Sequence, residues 1–185
     1  MDAIHYQIGS SKFGSFALAW RLYEDRPRVR RIFLPRERSS MEAALTSAFP
    51  QVMEGFHPEM DNLLRSIERF LGGEDIRFDL NWLGWGNCTD FQARVLRVES
   101  GIPRGWVSTY GRIARELGVP GGGRAVGGAL AANPFPLVIP CHRAIRSTGA
   151  LGGFQGGLEM KKALLEMEGV VFQTPTKVSL NKVYY

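Results

Sequence analysis

The chain holds two cysteines, Cys88 and Cys141, in 185 residues. Two thiols cannot build a disulfide framework, which excludes a small stapled secreted domain and points to a reducing, intracellular setting. Histidine is as scarce, with three residues. No Cys-x-x-Cys or His-x-x-x-His pair occurs, and structural zinc needs about four ligands in close-spaced pairs, so no metal site and no cofactor are expected. No apolar run approaches the roughly 20 residues of a membrane span. The N-terminus lacks the charged-then-apolar pattern of a signal peptide. The expected location is the cytoplasm, or the nucleus in a eukaryote, with no membrane partner. Acid is short in one half only. Residues 1–90 carry 11 Lys or Arg against 13 Asp or Glu, whereas residues 91–185 carry 12 against 5. That imbalance directs a polyanionic partner, nucleic acid above all, to the C-terminal half.

The 44 % hydrophobic and 22 % charged content is that of a globular protein long enough for two small domains. Phe16, Leu18, Trp20 and Leu22 alternate with smaller or polar residues, which predicts a half-buried strand. A turn at Tyr23–Pro27 and a second strand from Val29 to Leu34 complete a hairpin. Arg26, Arg28, Arg30, Arg31, Arg36 and Arg38 cluster there, as phosphate contacts or, the favoured reading, as charges that protect a sheet edge. Ser40 to Phe49 reads as a short helix. Met60, Leu63, Leu64, Ile67 and Leu71 share one helical face that Gly72-Gly73 ends. Ile76 to Leu80 reads as a third strand and Asn81 to Cys88 as a linker. The expected domains are therefore 1–85, an N-terminal α/β domain with a small antiparallel sheet, and 86–185.

The second half reads as mostly helical. Thr89 and Gln92 form a possible capping box for a helix carrying Phe91, Val95 and Val98. A short helix with Ile113, Ala114 and Leu117 precedes a Gly-rich break and a helix over Arg124 to Ala132, which together suggest a helix-turn-helix. Each interior glycine of that second helix costs about 1 kcal/mol against alanine, so Gly127 and Gly128 need a reason. Small side chains permit close approach, either to another helix or to a nucleic-acid groove. Leu137 to Ile139 reads as a short strand that Pro140 terminates, which puts Cys141 at a strand end. The last clear helix starts near Leu158, with Met160, Ala163, Leu164 and Met167 as its buried stripe.

Ile139-Pro140-Cys141-His142-Arg143 carries the chemistry. A thiol with an ordinary pKa is mostly protonated at neutral pH and needs a base, for which His142 is the neighbour. Adjacent residues of a strand point to opposite faces, so a kink or a bridging water must carry the proton. The histidine needs an orienter in turn. Glu168 fits, since the helix dipole disfavours a carboxylate in a last turn and so implies a fixed partner; Glu166 in the same turn is the alternative.

Pro140-Cys141-His142-Arg143, with Arg124-Ala125-Val126-Gly127-Gly128-Ala129-Leu130 and Asn133-Pro134 before it, resembles the O6-alkylguanine-DNA alkyltransferases (methylated-DNA–protein-cysteine methyltransferases). Ile102–Gly105, Thr109–Gly111, Gly149–Phe154, Gly156–Leu158 and Leu164–Gly169 extend the likeness over about residues 90–170. The resemblance implies a mixed α/β (α+β) protein whose C-terminal domain is winged helix-turn-helix-like. It implies a monomer that flips O6-alkylguanine from double-stranded DNA and takes the alkyl group irreversibly onto its own cysteine, with O4-alkylthymine as a second candidate lesion. Cys141 then is the acceptor, His142 its water-mediated base and Glu168 the orienter. Tyr110 assists the leaving guanine, Asn133 is a hinge, and Arg124 fills the vacated stack. Gly111, Gly127, Leu130, Ser147, Phe154 and Gln155 are implied to meet the substrate or DNA. Phe154 stands where many relatives have tyrosine, and Trp106 replaces a common acid. A lesion sensor without transfer and a thiol hydrolase are the rival functions.

Overall fold

The computed structural model describes residues 3–36 and 38–185. The chain divides into two compact units, Met1–Asn87 with Pro134–Val138, and Cys88–Asn133 with Ile139–Tyr185. Among the described residues no helix is long and apolar enough to cross a membrane.

The first unit is a four-stranded sheet with two helices. Its strands are β1 (His5–Ser11), β2 (Gly14–Tyr23), β3 (Arg26–Arg36) and β4 (Met53–Glu54), its helices α1 (Arg38–Ala48) and α2 (Pro58–Gly72). Strand order is β3-β2-β1-β4. The hairpin pairs antiparallel, whereas β4 joins β1 in parallel. Phe16, Ala17, Leu18 and Ala19 are all fully buried, so β2 is covered on both faces rather than half-buried. Ala17, Ala19 and Phe33 pack with Met41 and Leu45 of α1. The other cover is α2, which buries Met60, Leu63, Leu64, Ile67, Phe70 and Leu71 and packs on β1 and β2. Gly73 ends α2 at φ 109°, a left-handed cap that glycine adopts without strain. In the arginine cluster, Arg21 pairs directly with Arg28 across the hairpin; the side chains of Arg36 and Arg38 lie outside the described residues.

The strand expected over residues 76–80 does not form. The free edge of β3 is already met: Gly84 N–H donates to the Val29 carbonyl at 2.9 Å, and Ile32 N–H donates to Pro134 O at 2.8 Å. Asp79 instead accepts from Asn81 N–H and starts a 3₁₀ turn, Leu80–Trp82. The stretch expected as a linker is packed, with Leu83 buried and Trp85 edge-on to Phe135 at 5.8 Å.

The second unit holds α3 (Asp90–Ser100), β5 (Ser108–Thr109), α4 (Tyr110–Glu116), α5 (Gly123–Ala131), β6 (Ala144–Ile145), α6 (Gly157–Met167), β7 (Phe172–Thr174) and β8 (Lys177–Val178). The pair α4–α5 packs together across a glycine-rich turn, as the helix-turn-helix reading requires. Half of the capping box is real. Thr89 accepts from Gln92 N–H, but the Gln92 side chain donates to the carbonyls of Ala129 and Ala132 and closes the end of α5. No strand forms over Leu137 to Ile139. Pro134 and Pro136 withhold donors, and Leu137 sits at φ 73°, a conformation that breaks an extended run.

Candidate functional site

Pro140 leads into a one-turn 3₁₀ helix, Cys141–Arg143, in which all three side chains are buried. Cys141 is therefore not at a strand end. At about three residues per turn, neighbouring side chains still diverge by a third of a circle, so the Cys141 and His142 side chains leave the backbone in different directions. What α6 brings is the partner. Glu168 caps its C-terminus and reaches His142, with Nε2 2.8 Å from Glu168 Oε1. Arg143 donates from Nε to Glu168 Oε2 at 2.8 Å, from a second nitrogen to Oε1 at 2.8 Å, and from the third to the Ile102 carbonyl at 2.6 Å. Glu166, the alternative, is exposed and lies 3.8 Å from Lys162.

The charge states follow. Burial pushes the Glu168 carboxyl up, but His142 and the Arg143 fork more than offset this and hold it at about 2. An ionised carboxylate only accepts, so His142 Nε2 carries the hydrogen and Nδ1 bears the lone pair. Burial pushes His142 down against the pull of Glu168, which keeps the ring neutral at neutral pH. With a neutral ring, Arg143 is the charge that keeps Glu168 ionised. Burial pushes the Cys141 thiol up to about 11, while a hydrogen bond from Asn133 pulls the other way. Asn133, itself buried, also donates to the Ile139 carbonyl at 3.2 Å and so ties the end of α5 to the turn.

Cys141 opens onto a cleft of about 640 Å³ lined by Tyr110, Arg124, Gly127, Leu130, Phe154 and Gln155, among others. Tyr110 starts α4, and its hydroxyl comes so near Gly152 that a Cβ there would stand 2.6 Å away. Phe154 is edge-on to the His142 ring at 6.3 Å. Gln155 donates its side-chain amide to the carbonyls of Ala131 and Asn133, which leaves its backbone N–H as the group for a substrate oxygen. Arg124 is exposed near the start of α5. A Cβ at Gly128 would meet nothing within 4 Å, and one at Gly127 only the Tyr110 ring at 3.9 Å. Only Tyr110, at the start of α4, comes near Gly127, and the space beside Gly128 is open, so that face of α5 points outward. Gly111 and Ser147 are exposed and do not line the cleft.

Three charged residues escaped the sequence reading. Arg146 lines the cleft. Lys161 is fully buried and donates to the carbonyls of Ala144 at 2.6 Å and Gly153 at 3.2 Å. Glu99 is fully buried, neither carboxyl oxygen finds a hydrogen bond, and burial pushes it up to about 8. The signal for Glu99 was present: it follows Val95 and Leu96 at helical spacing, where an apolar residue belongs.

Residues 90–170 match the family model described as 6-O-methylguanine DNA methyltransferase, DNA binding domain. A methylated-DNA–protein-cysteine methyltransferase of Methanothermobacter thermautotrophicus is 57 % identical over 108 residues, 58 % of this chain and 60 % of that protein. The chain thus aligns with about three fifths of the length of such curated relatives. Among solved structures, the Mycobacterium tuberculosis O6-methylguanine methyltransferase superposes with a TM-score of 0.70 at 31 % identity, covering 89 % of this chain and 92 % of that one. A Mycobacterium tuberculosis OGT solved in complex with DNA superposes at 0.68, with 31 % identity and the same coverage. With a DNA-binding domain matched in sequence and near-complete structural coverage above 30 % identity, the chain belongs to the O6-methylguanine-DNA methyltransferase family.

Proposed function

We propose that this protein repairs O6-alkylguanine in double-stranded DNA by transferring the alkyl group to Cys141, once per molecule. One observation carries the reading: a buried Arg143–Glu168–His142 chain adjoins a thiol that opens onto a cleft walled by an outward-facing, glycine-rich helix. Residues 86–185 act as the DNA-binding and acceptor domain.

The glycine face of α5 enters the minor groove, and Arg124 takes the place of the extruded nucleotide. Flipping costs a few kcal/mol, which the inserted side chain partly offsets. The base enters the cleft between Tyr110 and Phe154. His142 Nδ1 accepts the thiol proton through a water. The sulfur pair forms the S–C bond as the C–O6 bond breaks, and the released pair stays on the guanine, to which Tyr110 donates a hydrogen bond. A resting thiol near 11 is almost wholly protonated at neutral pH, so proton removal accompanies attack rather than preceding it. A thioether offers no leaving route, which ends the reaction at one turnover. The protein works as a monomer wherever the DNA is held.

Intact-mass measurement after incubation with a duplex containing O6-methylguanine tests this. One added methyl on wild type and none on Cys141→Ala, with DNA binding retained, is the expected result. Binding without mass gain would establish a lesion sensor, and repeated turnover on a thiol-labile ester a hydrolase.

A further inference from the structure

The residue after β6 has no place in the scheme above. Parallel β5 and β6 pair Ser108 with Ala144 and Thr109 with Ile145. That register sets the next residues, Tyr110 and Arg146, side by side at the same strand end. Both line the cleft that Cys141 opens onto. Their proximity registers electrostatically: burial pushes the Tyr110 phenol up, and the Arg146 charge opposes it.

The base of the Arg146 side chain is fixed. Its N–H donates to the Ala150 carbonyl at 2.9 Å, and its carbonyl accepts from Gly149 N–H at 3.0 Å, closing a tight turn. The guanidinium is free of both duties. Arg146 is exposed, and it forms no ion pair or side-chain hydrogen bond among the described residues. This differs from Arg143 three residues earlier, each of whose three guanidinium nitrogens donates inside the protein. The cleft wall holds two arginines, Arg124 and Arg146, and no carboxylate. An unspent, anchored guanidinium in an acid-free cleft calls for an anion, and its planar fork matches a phosphate. Arg124 is on α5, so the two cations come from different elements on the cleft rim.

We propose that Arg146 is a substrate-positioning residue that binds a phosphodiester oxygen of the extruded nucleotide and so selects a lesion carried on a DNA strand over a free alkylated base. Arg124 stands in for the base inside the duplex; Arg146 holds the backbone of the same nucleotide outside it. The guanidinium makes no contact with the transferred carbon, and no proton moves through it. The inference rests on Cys141 being the alkyl acceptor for DNA lesions.

The test compares two substrates and one binding curve. Wild type, Arg146→Ala and Arg146→Lys are reacted with an O6-methylguanine duplex and with O6-benzylguanine, a free base with no phosphate. Binding to the O6-methylguanine duplex, in a Cys141→Ala background that blocks transfer, is followed against salt. Arg146→Ala should lose about tenfold in second-order rate on the duplex, the effect of one charge-assisted contact, and stay within about twofold of wild type on the free base. Arg146→Lys should recover part of the duplex rate. The salt slope of duplex binding should fall by about 0.9, the release of one counterion. Equal losses on both substrates would assign Arg146 to the shape of the pocket and overturn the proposal. So would an unchanged duplex rate or an unchanged salt slope. Should wild type itself react with neither substrate, the repair reading fails, and the salt slope still decides whether Arg146 meets phosphate.

Discussion

Arg143→Leu offers the sharpest probe of the buried network. In the wild type its three donor groups hold Glu168 and the Ile102 carbonyl at 2.6–2.8 Å. Removing the guanidinium leaves a fully buried carboxylate with only the neutral His142 as a partner. Breaking a buried pair this way costs about 3–5 kcal/mol, chiefly as an uncompensated charge. The pH dependence has a definite sign. Glu168 is held at about 2, below the ordinary 4.5, so its pairing stabilises fully above about pH 4.5 and is lost as pH falls toward 2. The loss in Arg143→Leu should therefore be largest at neutral pH and shrink in acid. Amide hydrogen exchange in α6 and in the Cys141–Arg143 turn reads the unit concerned without assuming that the whole chain unfolds in one step. A loss of about 3 kcal/mol appears as roughly 10²-fold faster exchange. Glu168→Leu combined with Arg143→Leu should be far less damaging than the sum of the two, with a coupling of about 2 kcal/mol or more. Additive effects, or a loss below about 1 kcal/mol at neutral pH, would refute the assignment of Arg143 as the charge that keeps Glu168 ionised.

Three further outcomes are expected. Glu168→Gln should slow transfer by about 10² or more, whereas Glu166→Gln, which removes only a surface pair with Lys162, should stay within about twofold in single-turnover rate. Glu99→Gln should stabilise the second unit. Glu99 is raised to about 8, so the wild type is penalised progressively as pH rises from about 4.5 to 8, by about 1.4 kcal/mol per pKa unit; thermal melts showing no gain for the variant at pH 8 would contradict this. Gly128→Leu fills open space rather than protein, so it should leave the melting temperature within a few degrees and weaken duplex binding by about tenfold or more, measured by titration.

Periodicity made much of the architecture legible. The β2–β3 hairpin, α2 and the α4–α5 pair follow from apolar spacing and glycine stops, because local pattern and burial agree there. Two expected strands failed for reasons that apolar spacing does not carry. Ile76 to Leu80 alternates well, but Gly84 and Pro134 already occupy the β3 edge it needed. Leu137 to Ile139 is apolar enough, but the prolines before it and the left-handed Leu137 turn the chain. Strand β1 passed unnoticed because its one buried position is Gly9, which has no side chain, and Tyr6 and Ile8 are only partly buried, so its side chains carry little alternation. In the candidate site, the pairing of His142 with Glu168 was readable, since the helix-end argument for Glu168 points to the carboxylate that His142 meets. The role of Arg143 was not readable, since no local pattern marks it as the second partner of Glu168 or of the Ile102 carbonyl. Phe154 and Gln155 join the cleft through a loop whose path over Tyr110 depends on Gly152.

The central claim is that Cys141 is consumed by the reaction it performs. A titration of product against protein, with O6-methylguanine duplex in large excess and peptide mapping of both cysteines, tests it most directly. The account predicts one methyl per protein, all of it on Cys141 and none on Cys88, with a plateau that longer incubation does not lift. Product rising past one equivalent, or methyl found on Cys88, would contradict it.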